Sequence, residues 1–163
     1  MKNKKNVIAT IIFLFTANFL FAQQSKIDSL KKVLQTSKED TTKAKALNDL
    51  AWELKYTNPD TAILLSIHAL EIAEKNKWDK GVGNSNGYLG VYNDIKGNYP
   101  KALEYYLKSL KISEEIGNKS GIADNYVRIG IAYQNQGDYP KALQYYFDGL
   151  KIYENLGNKQ KIV

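Results

Sequence analysis

The sequence predicts an all-α solenoid built from antiparallel helix pairs, and three observations predict it. The stretch Gly97-Asn98-Tyr99-Pro100-Lys101-Ala102-Leu103, Tyr105-Tyr106, Leu110-Lys111-Ile112, Glu114 and Gly117-Asn118-Lys119 comes back as Gly137-Asp138-Tyr139-Pro140-Lys141-Ala142-Leu143, Tyr145-Tyr146, Leu150-Lys151-Ile152, Glu154 and Gly157-Asn158-Lys159. Aligning residues 81–120 on 121–160 without a gap gives 17 identities in 40 positions, and a fixed period of this length marks a repeat architecture. Within each copy, apolar residues such as Leu103, Tyr106 and Leu110 recur at i, i+3 and i+7, the stripe of an amphipathic helix. Finally, each copy is divided in two by helix punctuation: Gly97 stands where a left-handed residue ends one helix, and Pro100 stands in the first turn of the next, where its missing N–H breaks no helical bond.

The chain opens with Lys2, Lys4 and Lys5, then an apolar run from Val7 to Phe21, then Ala22-Gln23-Gln24 and polar sequence. A basic start, a short apolar core and a small residue at the junction form the layout of a secretory signal peptide. Its fifteen apolar-run residues fall short of the about 20 that span a bilayer as a helix. Residues 1–22 are therefore expected to be a signal peptide cleaved after Ala22, with an uncleaved N-terminal anchor as the alternative, and the remainder is expected to be exported. That segment holds three of the 23 Lys+Arg and none of the 17 Asp+Glu, so the rest carries 20 − 17 = +3. Arg128 is the only arginine, and the lysines lie among glutamates through the helical stretches. Nucleic-acid binders cluster their cations on one face and favour arginine for phosphate and base contacts, so nucleic acid is not an expected partner. The absence of cysteine excludes disulfide staples and a lipid-bearing Cys beside the signal, leaving stability to packing.

Residues 23–40 are expected to hold a capping helix and a joint. Ile27, Leu30, Val33 and Leu34 make one stripe, and Leu30 falls forty before Leu70, so this stretch reads as the second helix of an incomplete repeat covering the first full one. Ser37 to Thr41 offers several N-caps. Residues 41–80 form a degenerate first repeat, with a helix to about Tyr56 (Leu47, Leu50, Ala51 and Leu54 inward), a break at Thr57-Asn58-Pro59-Asp60, and a second helix from Thr61 to about Asn76. Repeat two, 81–120, begins near Gly81 with a helix carrying Gly81, Gly83, Gly87 and Gly90. An interior glycine costs about 1 kcal/mol against alanine, so this helix is expected to be the weakest and to depend on its neighbours. Asn98 and Asp138 are expected caps for the helices that follow them. Residues 121–160 are repeat three, and 161–163 align with the opening of a further, truncated repeat.

These residues resemble the tetratricopeptide repeat family. Its motif places a large then a small apolar residue and a Tyr on the first helix, Gly-[Asp/Asn]-Tyr at the turn, then Ala, an aromatic and a small residue on the second. Repeat three supplies Ile129-Gly130, Tyr133, Gly137-Asp138-Tyr139, Ala142, Tyr146 and Gly149; repeat two supplies Leu89-Gly90, Gly97-Asn98-Tyr99, Ala102, Tyr106 and Ser109, with Asn93 in place of the Tyr. In repeat one Leu50-Ala51 fits, but Ala62 follows Ala51 by eleven residues instead of twelve and the turn Gly is absent. The family's period is about 34; forty lengthens each helix by nearly a turn, and Glu154 replaces the usual closing Pro. The resemblance implies a right-handed superhelix whose concave face comes from the first helices. Carried over by position, the groove comprises Asn84, Gly87, Tyr88, Val91 and Asp94 of repeat two, with Asp124, Val127, Arg128, Ile131 and Gln134 of repeat three. It implies a trough for an extended peptide or a partner helix. Of the Lys/Asn/Arg set of chaperone-type carboxylate clamps only Arg128 is matched, and Asp124 stands where a Lys is needed, so capture of a C-terminal carboxylate is not implied. Export with forty-residue repeats further resembles the N-terminal repeat region of exported bacterial tetratricopeptide-repeat signalling proteins of the sensor kinase and regulator type. That likeness places the chain in the periplasm or on the outer face of the inner membrane.

Catalytic material is scarce. His68 is the sole histidine, so a Cys/His metal site or a Ser/His/Asp triad has almost nothing to draw on, and His68 reads as structural or surface. Glu114-Glu115 read as a solvated helix flank. The glycines of 81–90 are not a phosphate loop, since no strand precedes them and no Gly-Lys-Ser/Thr follows. No enzyme activity, cofactor, metal or small-molecule substrate is expected. Tyr106 and Tyr146 are expected between helices, Tyr105 and Tyr145 on the outer surface. Two functions of different class remain. One is a protein-binding scaffold, the extracytoplasmic sensor or adaptor part of a signalling protein. The other is a structural solenoid segment that self-associates through its C-terminal end; a fragment without independent function is a third reading.

Overall fold

The computed structural model describes residues 23–157. The expected signal peptide and the start of a further repeat at 161–163 lie outside the described residues. Seven helices follow one another: α1 (23–36), α2 (Thr41–Leu54), α3 (Pro59–Lys75), α4 (Asp79–Ile95), α5 (Tyr99–Glu115), α6 (Lys119–Asn135) and α7 (Tyr139–Asn155). No strand occurs among the described residues, and the all-α solenoid of antiparallel helix pairs is the observed architecture.

One turn joins most of these helices. Lys77, Gly97, Gly117, Gly137 and Gly157 all have positive φ, between 52° and 82°. Each donates its N–H three residues back, to the carbonyls of Glu74, Asp94, Glu114, Gln134 and Glu154. The next residue, where described, reaches five back: Trp78 to Ala73, Asn98 to Asn93, Asn118 to Ser113 and Asp138 to Tyr133, at 2.8–2.9 Å. This paired bonding satisfies carbonyls that a helix end leaves orphaned, and it needs a left-handed residue at the pivot. The sequence repeats every forty residues, but the backbone repeats every twenty. The first helices of repeats two and three consequently begin at Asp79 and Lys119, two residues before the expected Gly81 and Gly121, because the pivots at 77 and 117 end the preceding helices.

The α2–α3 joint differs. With no glycine to pivot on, α2 ends at Leu54 rather than Tyr56, and Thr57 and Asn58 both donate to the Leu54 carbonyl at 3.1 and 2.7 Å. Asn58 then accepts from the Thr61 N–H at 3.1 Å, with Pro59 in the first turn of α3. Elsewhere Asp40 caps α2 by accepting from Thr42 and Lys43, and Asp138 caps α7 by accepting from Lys141 at 3.3 Å. Asn98 makes no side-chain cap bond, contrary to expectation.

Interior packing is layered. Ala44, Leu47, Ala69 and Ile72 form a cluster between α2 and α3, against which Leu34 of α1 packs. Ala51, Ala62 and Tyr92 form a second, and Ala102, Tyr106, Leu110, Ile129 and Ala132 a third. The glycine-bearing α4 touches α2, α3, α5 and α6, and nine of its seventeen residues are buried. Its missing side chains are occupied space: a Cβ on Gly90 would lie 2.4 Å from Tyr106 Cδ1 and Cε1, and likewise one on Gly130 of α6 would lie 2.5 Å from Tyr146 Cε1. What α4 lacks in helix propensity is offset by close approach of its neighbours.

Candidate functional site

Helix contacts identify the inner face. Among the described helices α2 touches α4 and α4 touches α6, whereas α3 and α5, or α5 and α7, do not meet. The first helices of successive pairs therefore converge and the second helices splay, so α2, α4 and α6 line the concave side.

The large–small pairs Leu50-Ala51, Leu89-Gly90 and Ile129-Gly130 set a common register across these helices. The residue just before each pair is Asp49, Tyr88 and Arg128; the residue just after is Trp52, Val91 and Ile131; four positions before the first of these rows stand Lys45, Asn84 and Asp124. Spacings of three and four keep these rows on one helix face. Three rows thus cross the groove.

The aromatic centre is Tyr88. Its ring lies 5.7 Å from Trp52 at 57° and 6.3 Å from Tyr92 in near-parallel stacking. Burial pushes its hydroxyl up, the Asp49 carboxylate adds to that and the Arg128 guanidinium opposes it. Trp52 is 38% exposed, with Lys55 Nζ 3.9 Å from its ring centre. Between α2 and α4 an open cleft of about 410 Å³ is lined by Lys45, Asn48, Asp49, Trp78, Lys80, Asn84 and Tyr88. Beneath it Asn48 donates to Ser85 Oγ and accepts from Ser66 Oγ, both at 2.8 Å, a buried bridge tying α2, α3 and α4.

Arg128 lies over the gap at Gly87. A Cβ there would be 2.6 Å from its Nη1, so a side chain at this position would displace the guanidinium. The guanidinium is half-buried and has no ion pair or hydrogen bond among the described residues. Other expected groove residues are engaged. Asp124 accepts from the Tyr153 hydroxyl of α7. Gln134 Oε1 accepts from the Tyr146 hydroxyl at 2.7 Å. Asp94 accepts from Asn135 Nδ2 at 3.1 Å across the α4–α6 seam, and burial raises its carboxyl above the ordinary range. Val127 faces α7, 3.3 Å from a Cβ placed on Gly149, and Val91 packs on two core clusters. Of the expected groove residues, Asn84, Tyr88, Arg128 and Ile131 are thus the ones not engaged in this way. Lys45, Asp49 and Trp52 stand in the same rows on α2, outside the expected groove, which stopped at α4; the Leu50-Ala51 register already placed them.

His68 is exposed, 3.6 Å from Glu39, and no group of three or more metal-ligating side chains occurs among the described residues. Nor is any described helix long and apolar enough to cross a membrane.

The geometry defines a class: a helical-repeat solenoid with an open cleft between its first helices α2 and α4. Residues 84–155 match the family model described as tetratricopeptide repeat. The fold is similar to the apo form of RapI (TM-score 0.70, 23% identity, 88% of this chain and 40% of that one). It is also similar to a Rap protein complexed with competence and sporulation factor (0.73, 20%, 86% and 42%), and to the TPR domain of Arabidopsis FLU (0.57, 24%, 82% and 95%). This chain spans less than half the length of the two Rap proteins. Among curated proteins no match is found.

Proposed function

We propose that this chain is a non-enzymatic scaffold for protein–protein interaction that holds a peptide or partner helix in the groove of α2, α4 and α6. The observation that carries it is the Asp49–Tyr88–Arg128 row, where an aromatic platform lies beside two charges that make no ion pair among the described residues. Aromatic and arginine anchors are the side chains on which recognition energy concentrates. A protein of like fold seen with a bound factor supports the reading. The apolar segment before Gln23 supports export, and the repeats' likeness to exported signalling proteins supports a sensor or adaptor role on the outer side of the inner membrane. Residues 1–30 fused to a disulfide-requiring reporter enzyme test the export; an inactive, cytoplasmic fusion sinks it.

The groove is tested by selecting displayed random peptides on the full chain and on Tyr88→Ala, with circular dichroism as a folding control. Enriched peptides that lose about tenfold or more in affinity on Tyr88→Ala support it. No enrichment, or enrichment indifferent to Tyr88, removes it.

A second reading is self-association. Leu143 and Phe147 on α7 are 56% and 62% exposed, whereas Leu103, at the same repeat position as Leu143, packs beneath α6. Sedimentation of the full chain and Leu143→Glu decides this: association lost in the variant supports it, and a monomer at all concentrations ends it.

A further inference from the structure

We propose that the groove reads charge direction: it takes an extended peptide with a basic side chain over α2, an aromatic or aliphatic residue over Tyr88 of α4 and an acidic side chain at the seam of α4 and α6, where the Arg128 guanidinium lies against Gly87. This rests on the peptide-groove reading above and specifies its ligand.

The argument starts from which charges are already used. In the row Lys45–Asn84–Asp124, the Lys45 ammonium lies 5.3 Å over the Trp78 ring and Asp124 is bonded by Tyr153. In the row Trp52–Val91–Ile131 there is no charge. Only the middle row, among the described residues, presents charged groups that make no hydrogen bond, ion pair or ring contact with the protein. Asp49 is exposed and has no ion pair; Lys26, close enough to act on it, is itself bonded to Glu53 at 2.7 Å. Arg128 is partly desolvated against Gly87 and makes no hydrogen bond or ion pair among the described residues. A guanidinium in that state gains most from a carboxylate, which it can bind through two parallel hydrogen bonds. Tyr88, flanked by Trp52, supplies a flat apolar surface beside them, suited to an apolar residue of the ligand.

The geometry also sets a spacing. The Arg128 guanidinium reaches back from α6 to lie against Gly87 of α4, and neighbouring packed helices lie about 8–10 Å apart, so its charge is separated from that of Asp49 on α2 by about one such step. An extended chain advances about 3.3 Å per residue, which separates the ligand's basic and acidic residues by about two or three positions.

The test is a positional-scanning library of N-acetylated, C-amidated octapeptides, read by fluorescence anisotropy on the full chain and on Asp49→Asn, Arg128→Gln and the double exchange Asp49→Arg/Arg128→Asp. The native chain should select Lys or Arg at one position and Asp or Glu two or three away. Arg128→Gln should lose the acidic preference by about tenfold and keep the basic one; Asp49→Asn should do the reverse; the double exchange should invert the order. Tight peptides with no charge pattern, or a pattern unmoved by these variants, overturn the directional proposal while leaving the groove intact. Absence of binding by every peptide overturns both. Since neither side chain makes a hydrogen bond or ion pair among the described residues, all three variants should keep the native circular dichroism spectrum.

Discussion

Asn48 shows how one side chain joins three helices. Its amide donates to Ser85 and accepts from Ser66 in a site closed to water, so removing it leaves two buried hydroxyls without that partner, a loss of about 1–3 kcal/mol. Asp94 makes a different residue-scale prediction. Burial raises its folded-state carboxyl pKa above the ordinary 3.8, with the Asn135 hydrogen bond only partly opposing this. A raised acid is penalised in its ionised form. The penalty is therefore complete above the folded-state pKa and absent below about 3.8, where folded and unfolded chains are both protonated. Asp94→Asn keeps an oxygen for Asn135 to donate to and removes the charge. It should raise the urea midpoint at pH 7, with the gain shrinking on acidification and vanishing below about pH 3.8. An equal gain at pH 3 and pH 7 would refute the assignment.

At the scale of the element, the twenty-residue helix-and-turn unit is the governing module. Four of the five left-handed pivots are glycine and the fifth is Lys77 at φ 52°. Placing a side chain in that conformation costs about 1–2 kcal/mol. Lys77→Gly should therefore stabilise the chain by about 1 kcal/mol, raising Tm by roughly 3–5 °C for a domain of this size; a lowered Tm would mean that Lys77 makes a contact worth more than the strain. The α2–α3 joint has no such pivot to improve, because it turns without a left-handed residue.

For the whole molecule, the decisive fact is that contacts run only between neighbouring helices and between successive first helices. Such an array is stabilised by local interfaces, so damage should stay local. Ala142 is 2% exposed on α7, and Gly130 facing it approaches to 3.2 Å of the Ala142 carbonyl when given a Cβ. Ala142→Arg forces a charge into that contact and should unfold α6 and α7, roughly 30% of the helical residues, while α2 to α4 keep slow amide exchange. Unchanged ellipticity and Tm would show the register to be wrong. Loss of all helical signal would show cooperativity beyond nearest neighbours.

The repeat was legible without coordinates because Gly, Pro, Ala and Tyr at fixed offsets are demanded by backbone conformation and close packing, which are local requirements. The helix order, the turns at Gly97 and Gly137, and the burial of Tyr106 follow from that pattern alone. Even the groove's register was written in Leu50-Ala51, Leu89-Gly90 and Ile129-Gly130. Which side chains remain available in the groove was not legible. Asp124, Gln134 and Val127 share the groove positions but are engaged by Tyr153, Tyr146 and Gly149, all from a helix that follows later in the chain. Arg128 remains without a hydrogen bond or ion pair among the described residues, over a glycine forty-one positions earlier. Sequence periodicity assigns a residue to a face; only the packing of one helix against the next decides whether a polar group on that face is already bonded or left for a ligand.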